Sequence, residues 1–529
     1  MNSYALISLT DKSGAVEFAR FLEQRGVKIL STGNTAEVLR DSGVAVTAVS
    51  EYTGQPEIMD GRVKTLTPKI HGGILARRDS AQHMQDLQAL DAGPIDYVIV
   101  NLYPFLQKVR ETINAGDPEH QSLIEFIDIG GPAMLRAAAK NFKDVVVLID
   151  PKDYPRVQLE LSSGGKISLE LRRELAAKVF TFTAAYDGAI ARYLSLNEKL
   201  VNAEGKAMTL GGVENFTLKQ SQALRYGENP HQLAALYEIA NTTSAPELKQ
   251  LQGKELSYNN LLDADAAWQL ARELNQVAAS EPSIAIIKHL NPCGVACGKT
   301  LLEAFQAARA CDPVSAFGGI IATTSTLDAL TAQAIIEGFV EVIIAPKFAP
   351  QALEVLAQKK NVRVLQITDQ LYSQGELTPR LVFGRILLQE NDAALVDLTQ
   401  ARQVTKRKPK PQELTDLSLA WVVCKHVKSN AIVIAKDGKA IGIGAGQMSR
   451  VDSSRLAIER AQAQGFDVQD AAAASDAFLP FSDTLEYLAA AGIKSLVQPG
   501  GSIKDEDVIC RADELDVAMV FTGERHFRH

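Results

Sequence analysis

The sequence predicts an α/β protein, with an N-terminal doubly wound parallel sheet followed by a larger catalytic region. Three observations carry this. Over the first ~150 residues short apolar runs alternate with amphipathic stretches, as strands alternate with covering helices. A polar stretch containing Gly205 and Gly211-Gly212 interrupts the chain near residue 200. Beyond it, Ser283–His289 and Ser429–Lys436 share one shape, an apolar run ending in polar residues.

Taken in order, Tyr4–Leu9 reads as the first strand. Gly14–Arg25 follows as a helix, with Val16, Phe18, Ala19 and Leu22 on one face. Val27–Leu30 is a second strand, and Thr35–Asp41 a helix entered through Ser31-Thr-Gly-Asn-Thr35. Tyr97–Leu102 and Val145–Ile149 are apolar enough for central strands of a parallel sheet. In such a sheet ligands sit at the carboxyl ends of the strands. Ser168–Leu196 is a long helix, and Asn197–Asn215 the connection after it. The expected domains are therefore residues 1–200 and 201–529. In the second, Asp312-Pro-Val-Ser-Ala-Phe317 is echoed by Ser475-Asp-Ala-Phe478, so two related subdomains are expected. Arg402–Pro411, a basic, Pro-broken run without aromatic residues, reads as a solvated connector between them.

Composition narrows the function. Lys+Arg 55 against Asp+Glu 63 gives a net charge of −8 over 529 residues, which opposes a protein held mainly by nucleic-acid phosphates. The hydrophobic share of 46% is too high for a disordered chain. Five Cys, an odd number, argue against a disulfide scaffold and suit a reducing cytosol. The start, MNSYALISLTDKSG, has no basic segment leading into an apolar stretch, and no window approaches the ~20 apolar residues of a membrane span. A cytoplasmic enzyme without nucleic-acid or membrane partners is expected.

Three groups of residues carry chemistry. Ser8–Gly14 and Ser31–Thr35 each end a strand and open a helix with hydroxyl and Gly residues, where backbone N–H groups favour an anion. Ordinary N-capping explains one such turn; two turns, with Arg62-Val-Lys64-Thr65 nearby in sequence, point to a phosphate pocket. Lys64, Asn101-Leu-Tyr103, Asp128 before Gly130-Gly131, and Lys140 on the following helix form a proton-transfer set without metal or thiol. Lys288-His289, at the end of an apolar strand and before Asn291-Pro-Cys-Gly294, sets an oxyanion-stabilising cation beside an imidazole that accepts protons near neutral pH. Three lookalikes are set aside. Gly294–Thr300 is one residue short of the P-loop spacing, Gly442-Ile-Gly-Ala-Gly446 lacks the dinucleotide spacing, and Cys293, Cys297 and His289 lack a second Cys pair for zinc.

Together these segments are recognisable. ISLTDKSG, STGNTAEVL, GRVKTLTPKIHGGIL, NLYPF, IDIGGPAMLRAAAKN, LRYGENPHQ, KHLNPCGVA, DPVSAFGG, SNAIVIAKDGKAIGIGAGQMSRVDSSRLA and SDAFLPFSD, in this order, resemble the bifunctional purine-biosynthesis family that joins AICAR transformylase to IMP cyclohydrolase. (AICAR is 5-aminoimidazole-4-carboxamide ribonucleotide.) The resemblance spans essentially the whole chain. It implies a methylglyoxal-synthase-like cyclohydrolase domain and a transformylase of two cytidine-deaminase-like subdomains. It also implies 10-formyltetrahydrofolate as cosubstrate, no catalytic metal, and a homodimer with the transformylase site across its interface. Carried over by motif, Lys64, Tyr103, Asp128 and Lys140 are the cyclohydrolase's catalytic residues. Lys12, Ser31, Thr32, Thr35, Arg62, Thr65 and Asn101 bind its nucleotide. In the transformylase Lys288 and His289 are catalytic and Asn430 positions the reacting groups. Arg225 and Tyr226 hold the AICAR phosphate, and Gly318, Glu341, Phe478 and Arg525 line the nucleotide site. Arg450, Asp483, Ser502 and Ile503 face the folate. Two other classes fit parts of the sequence: a phosphate-binding lyase of the methylglyoxal-synthase type, and a non-enzymatic nucleotide-sensing or RNA-binding protein using Arg402–Pro411.

Overall fold

A computed structural model describes residues 3–59, 61–103, 105, 108, 121–195, 214–239, 247–277, 281–368 and 377–529. The chain separates into two compact units, one of Met1–Lys219 with Glu238–Thr243, the other of Gln220–Tyr237 with Ser244–His529. The expected boundary near residue 200 lies outside the described residues.

The first unit is built on five strands: β1 (Tyr4–Ser8), β2 (Lys28–Ser31), β3 (Val46–Ala48), β4 (Ile95–Val100) and β5 (Val146–Leu148). Their order is β3-β2-β1-β4-β5, and every pairing is parallel. The chain winds from β1 to one edge and returns to the other, so the crevice for a ligand opens beyond the carboxyl ends of β1 and β4. The helix Ala15–Glu23 buries Ala15, Phe18, Ala19 and Leu22, while Val16 lies half-buried at the rim of the core. The second helix starts earlier than its periodicity predicts, at Gly33, whose φ of 48° glycine takes without a Cβ clash. The long helix Leu169–Ser195 buries Leu171, Leu175, Val179 and Tyr186 at helical spacing.

Two strand pairs stand apart from the large sheets: β6 (Leu218–Leu224) with β7 (Ala234–Ile239), and β14 (Leu377–Val382) with β15 (Arg385–Glu390). The second unit's main sheet holds β8 (Leu248–Gln252), β9 (Ser283–Lys288), β10 (Asn291–Cys297), β11 (Gly319–Ala322), β12 (Val340–Ala345), β13 (Arg363–Ile367), β16 (Arg402–Gln403), β17 (Ile432–Lys436), β18 (Lys439–Gly444), β19 (Ala472–Ser475), β20 (Ser495–Gln498) and β21 (Ala518–Phe521). Its order, β16-β21-β20-β19-β17-β18-β10-β9-β11-β12-β13-β8, reads the same outward from the central β18–β10 pair. On one side β10–β9 and β9–β11 are antiparallel, β11–β12 and β12–β13 parallel, and β13–β8 antiparallel. On the other, β18–β17, β17–β19, β19–β20, β20–β21 and β21–β16 repeat those signs.

Helices repeat as well. Tyr258–Val277 and Pro411–Lys425 precede the two first strands, and Leu301–Cys311 and Arg450–Ala463 follow the two hairpins. The chain's two tryptophans, Trp268 and Trp421, are fully buried at matching positions of the first helix pair. Leu301–Cys311 and Arg450–Ala463 lie directly on the sheet: a Cβ at Gly294 would stand 2.1 Å from the Ala308 carbonyl oxygen, and one at Gly442 2.2 Å from that of Ala457.

Arg402–Pro411 departs from the solvated connector its charge predicts. Arg402-Gln403 is the edge strand β16, the buried Thr405 hydroxyl accepts from Met519 N–H at 2.8 Å, and the largely buried Arg407 donates to Glu413 at 2.6 Å. A carboxylate from the next helix neutralises the guanidinium, so the run seals an edge; Lys406 stays exposed. Among the described residues, no helix is long and apolar enough to cross a membrane.

Candidate active sites

In the first unit the loops after β1 and β4 are tied together at the crevice. The Asn101 side-chain oxygen accepts from the Thr10 and Asp11 N–H groups at 2.6 and 3.1 Å, and its amide donates to the Asp11 carbonyl at 2.7 Å. Asn101 thus shapes the crevice with both ends of its amide already engaged. Ser31 and Thr35 behave alike. The Ser31 hydroxyl donates to the Ile7 carbonyl at 2.6 Å and Thr35 pairs with the Leu9 backbone in both directions at 3.0 Å, so both side chains are buried in the β1–β2 junction. With both hydroxyls taken up, the turn has only its backbone N–H groups to offer an anion. Thr32 sits half-buried within 3.5 Å of Ser8, and Lys12 is half-exposed on the β1 loop.

Around this turn the predicted residues converge. A Cβ at Gly33 would meet Lys64 Nζ at 3.6 Å, and one at Gly130 would meet the buried Thr65 hydroxyl at 3.2 Å. Asp128 caps the mouth of the Gly130–Lys140 helix, accepting from Gly131 N–H at 2.9 Å. Burial pushes its carboxyl above the ordinary range, while the Gly131 and Gly130 N–H groups pull the other way. Lys64 pairs with Glu57 at 3.0 Å, Arg62 with Glu125, and the exposed Tyr103 ring packs edge-on to Phe126 at 6.2 Å. Lys140 is different. It closes the helix that Asp128 opens, exposed and about 15 Å along the axis from Gly130 at ~1.5 Å per residue, beyond hydrogen-bond reach of Asp128.

In the second unit Lys288 ends β9, and its ammonium donates to the carbonyls of Phe317 and Gly318, both at 3.0 Å. Gly318 has a φ of 69°, and a Cβ there would lie 3.1 Å from Lys288 Nζ and 2.9 Å from the Phe339 ring. Only glycine leaves both the lysine and the ring in place. His289 follows in the β9–β10 turn. Glu341, on β12, accepts from Asn260 at 2.9 Å. Across the sheet, Asn430 donates to the carbonyls of Gln447 and Met448 at 2.8 and 3.1 Å. Asn291 joins the two regions: its amide donates to the His289 carbonyl and its oxygen accepts from Lys428 N–H, each at 3.1 Å.

A family model described as "AICARFT/IMPCHase bienzyme" matches residues 138–460, and one described as "MGS-like domain" matches residues 14–133. This chain is 49% identical to "Bifunctional purine biosynthesis protein PurH" of Bacillus cereus (strain B4264) over 531 aligned positions, covering all of both chains. The protein of that name from Bacillus anthracis (strain CDC 684 / NRRL 3495) matches equally, at 49% over the full length of both.

The chain belongs to the AICARFT/IMPCHase bienzyme family.

Among solved structures, "Crystal structure of ForH" is 35% identical, covering 36% of this chain and 98% of that one, with a TM-score of 0.32.

The remaining predicted residues of this family member are spread along the loops of the second unit. Arg450 is largely buried, donating to Asp476 at 3.2 Å and Ser475 at 3.3 Å, and its guanidinium lies 5.9 Å from the Phe527 ring. Asp483 is exposed at the start of its helix, and Ile503 stands fully in solvent beside the half-buried Ser502, on the loops after β19 and β20. Phe478 is half-buried. Arg525 stacks on Phe527 at 4.2 Å, and Arg225 lies 5.5 Å from the Tyr226 ring just after β6. Among the described residues, no group of three or more His, Cys, Asp or Glu is arranged to hold a metal; burial pushes Cys293 up to about 12, so it stays a neutral thiol.

Two supporting residues escaped sequence reasoning. Tyr186, on the long helix, accepts from Asp128 N–H at 2.9 Å and donates to the Phe126 carbonyl at 3.2 Å, fixing the loop that carries Asp128. Asp263 accepts from Leu290 N–H at 2.7 Å, next to His289. Neither lies near its partner in sequence, and helical spacing marks Tyr186 only as core.

Proposed function

We propose that this chain catalyses two consecutive reactions, formyl transfer from 10-formyltetrahydrofolate to AICAR and dehydrative closure of the formylated product, FAICAR, to IMP. One chain carries two separately built charged sets, Lys64 beside the Gly33 turn with Asp128 at the mouth of the Gly130–Lys140 helix in the first unit, and the Lys288–His289 hairpin in the second, and this observation favours two chemistries. In transfer, the 5-amino nitrogen of AICAR is a weak nucleophile because its lone pair is delocalised into the ring and carboxamide. His289 takes its proton as the nitrogen attacks the formyl carbon. Lys288 donates to the formyl oxygen as it becomes negative, and Asn430 orients the reacting groups. Collapse expels the folate nitrogen, which takes up a proton, and the formyl group stays on AICAR. In closure, the carboxamide nitrogen attacks the formyl carbon within the same molecule, so the enzyme supplies the folded conformer and proton movement. Asp128 or Tyr103 accepts the amide proton, and Lys64 assists the departing oxygen, which leaves as water. Lys140 acts apart from Asp128, from the other end of its helix.

Residues 1–200 are assigned to closure and 201–529 to transfer. The nucleotide of closure is held by Lys12, Thr65, Arg62 and the 31–35 turn. Arg225, Tyr226, Gly318, Glu341, Phe478 and Arg525 hold AICAR, with Arg450, Asp483, Ser502 and Ile503 toward the folate. A homodimer is proposed, since Leu381, Phe383, Ile386 and Leu387 leave the β14–β15 hairpin an exposed apolar surface. The free cysteines agree with a cytoplasmic setting.

The test follows AICAR, FAICAR and IMP by chromatography for wild type, His289→Ala and Lys64→Ala, each supplied with AICAR plus folate and, separately, with FAICAR. His289→Ala is expected to lose transfer and keep closure, and Lys64→Ala the reverse. Wild type leaving AICAR untouched would return the lyase reading.

A further inference from the structure

The β9–β10 and β17–β18 hairpins occupy the same place in the two halves of the large sheet. Each closes through two residues, His289-Leu290 in one and Asp437-Gly438 in the other. All four have positive φ: 51° and 63° in the first, 53° and 72° in the second. Such a turn matches the twist of a hairpin but crowds a Cβ, so it favours Gly, Asn and Asp. Asp437-Gly438 meets that preference unaided, whereas His289-Leu290 violates it twice.

Both turns are gripped by the same device. In the second half Asp416 accepts from the N–H groups of Asp437 and Gly438 at 3.2 and 2.8 Å. In the first, Asp263, at the matching position of the Tyr258–Val277 helix and 8% exposed, accepts from Leu290 N–H at 2.7 Å. Asn291 adds a second grip on the His289 carbonyl and carries it to Lys428, two residues before Asn430.

We propose that Asp263, supported by Asn291, is a positioning residue for formyl transfer. Its carboxylate holds His289-Leu290 in a turn that this pair does not favour, so that the imidazole stays next to Lys288 and in register with Asn430. In the second half the same carboxylate serves only the fold, because its turn is already favoured. The inference rests on reading His289 as the proton acceptor.

The experiment measures kcat and KM for AICAR in Asp263→Ala, Asp263→Asn, Asp263→Ala/Leu290→Gly, Asn291→Ala and His289→Ala, with closure of FAICAR and thermal melting alongside. A misplaced catalytic group commonly costs up to ~10²-fold in rate, so Asp263→Ala is expected to lower transfer kcat about 10- to 100-fold with KM changed less than about 2-fold. Asp263→Asn keeps an acceptor oxygen and is expected to recover most of that loss. Leu290→Gly in the Asp263→Ala background is expected to recover part of it, because glycine takes positive φ freely. Wild-type kcat in Asp263→Ala overturns the proposal. So does a loss that neither the amide of Asp263→Asn nor the glycine of Leu290→Gly restores, since Asp263 would then act through its charge. Should Asp263→Ala fail to fold, Asn291→Ala asks the same question: a fall in kcat at unchanged KM supports the proposal, and a wild-type kcat overturns it. Undiminished transfer by His289→Ala would instead remove the reading of the site on which the inference stands.

Discussion

In the first half of the large sheet the β9–β10 turn is His289-Leu290; in the second, the β17–β18 turn is Asp437-Gly438. The strands leading into them end alike. Lys288 Nζ is anchored on the carbonyls of Phe317 and Gly318, just before β11, and Lys436 Nζ on those of Asp467 and Gln469, just before β19. One scaffold is therefore used twice, with the same lysine anchor and the same carboxylate behind the turn. The halves differ in what the turn costs. A non-glycine residue held at positive φ costs roughly 1–3 kcal/mol; the first half bears this at two adjacent positions, the second at one, Asp437, a residue type that tolerates it. Local rules are broken where the proposed chemistry sits and kept where the scaffold has only to fold.

Paired substitutions sharpen or break this contrast. The largest effect is expected for His289→Ala: transfer falls about 10²- to 10⁴-fold, while Asp437→Asn in the equivalent turn leaves it within about 2-fold. Equal losses in a formyl-transfer assay would make the two turns equivalent. Next, Lys288→Ala is expected to lose about 10²- to 10³-fold in kcat, whereas Lys436→Ala changes mainly the melting temperature. A third pair tests what the halves share. Gly294→Ala and Gly442→Ala both drive a Cβ into a helix carbonyl, and each is expected to destabilise by about 1–3 kcal/mol in denaturant titration, with similar values. A clear difference would mean that the two halves pack differently.

The smallest effect concerns pH. Burial raises the Asp416 carboxyl above its ordinary value, against the pull of the Gly438 and Asp437 N–H groups. The folded state therefore binds this proton more tightly than the unfolded one, and stability declines as pH rises from the unfolded carboxyl value through the raised one. Asp416→Asn removes that component, so wild type should lose ground to the variant as melting is measured from acid to neutral pH. A constant difference across that range would show that Asp416 titrates normally.

Much of the fold was legible in the sequence. The apolar runs at Tyr4–Leu9, Val27–Leu30, Tyr97–Leu102 and Val145–Ile149 contain β1, β5 and most of β2 and β4, because a strand buried on both faces needs apolar residues throughout. The segments Ser283–His289 and Ser429–Lys436 reveal the repeat, and a second signal of it is that Asp263 and Trp268 share the spacing of Asp416 and Trp421. The site was legible as residue types rather than as free groups. Ser31, Thr35 and Asn101 read as nucleotide-binding residues, yet their side chains are taken up by backbone partners across the β1 and β4 junctions. Lys140 reads as three turns along the helix that follows Asp128, and it stands at the far end of that helix.

By itself the sequence determined the alternation of strands and helices, the family, and which titratable groups are candidates for proton transfer, since these follow from periodicity, motif order and functional groups. Tertiary structure decided which of those groups remain free and what holds them. A hydroxyl spent on a carbonyl reads the same along the chain as one aimed at a ligand. The grip of Asp263 on the His289 turn, 2.7 Å across space and 27 residues apart, exists only once a helix and a hairpin have packed together.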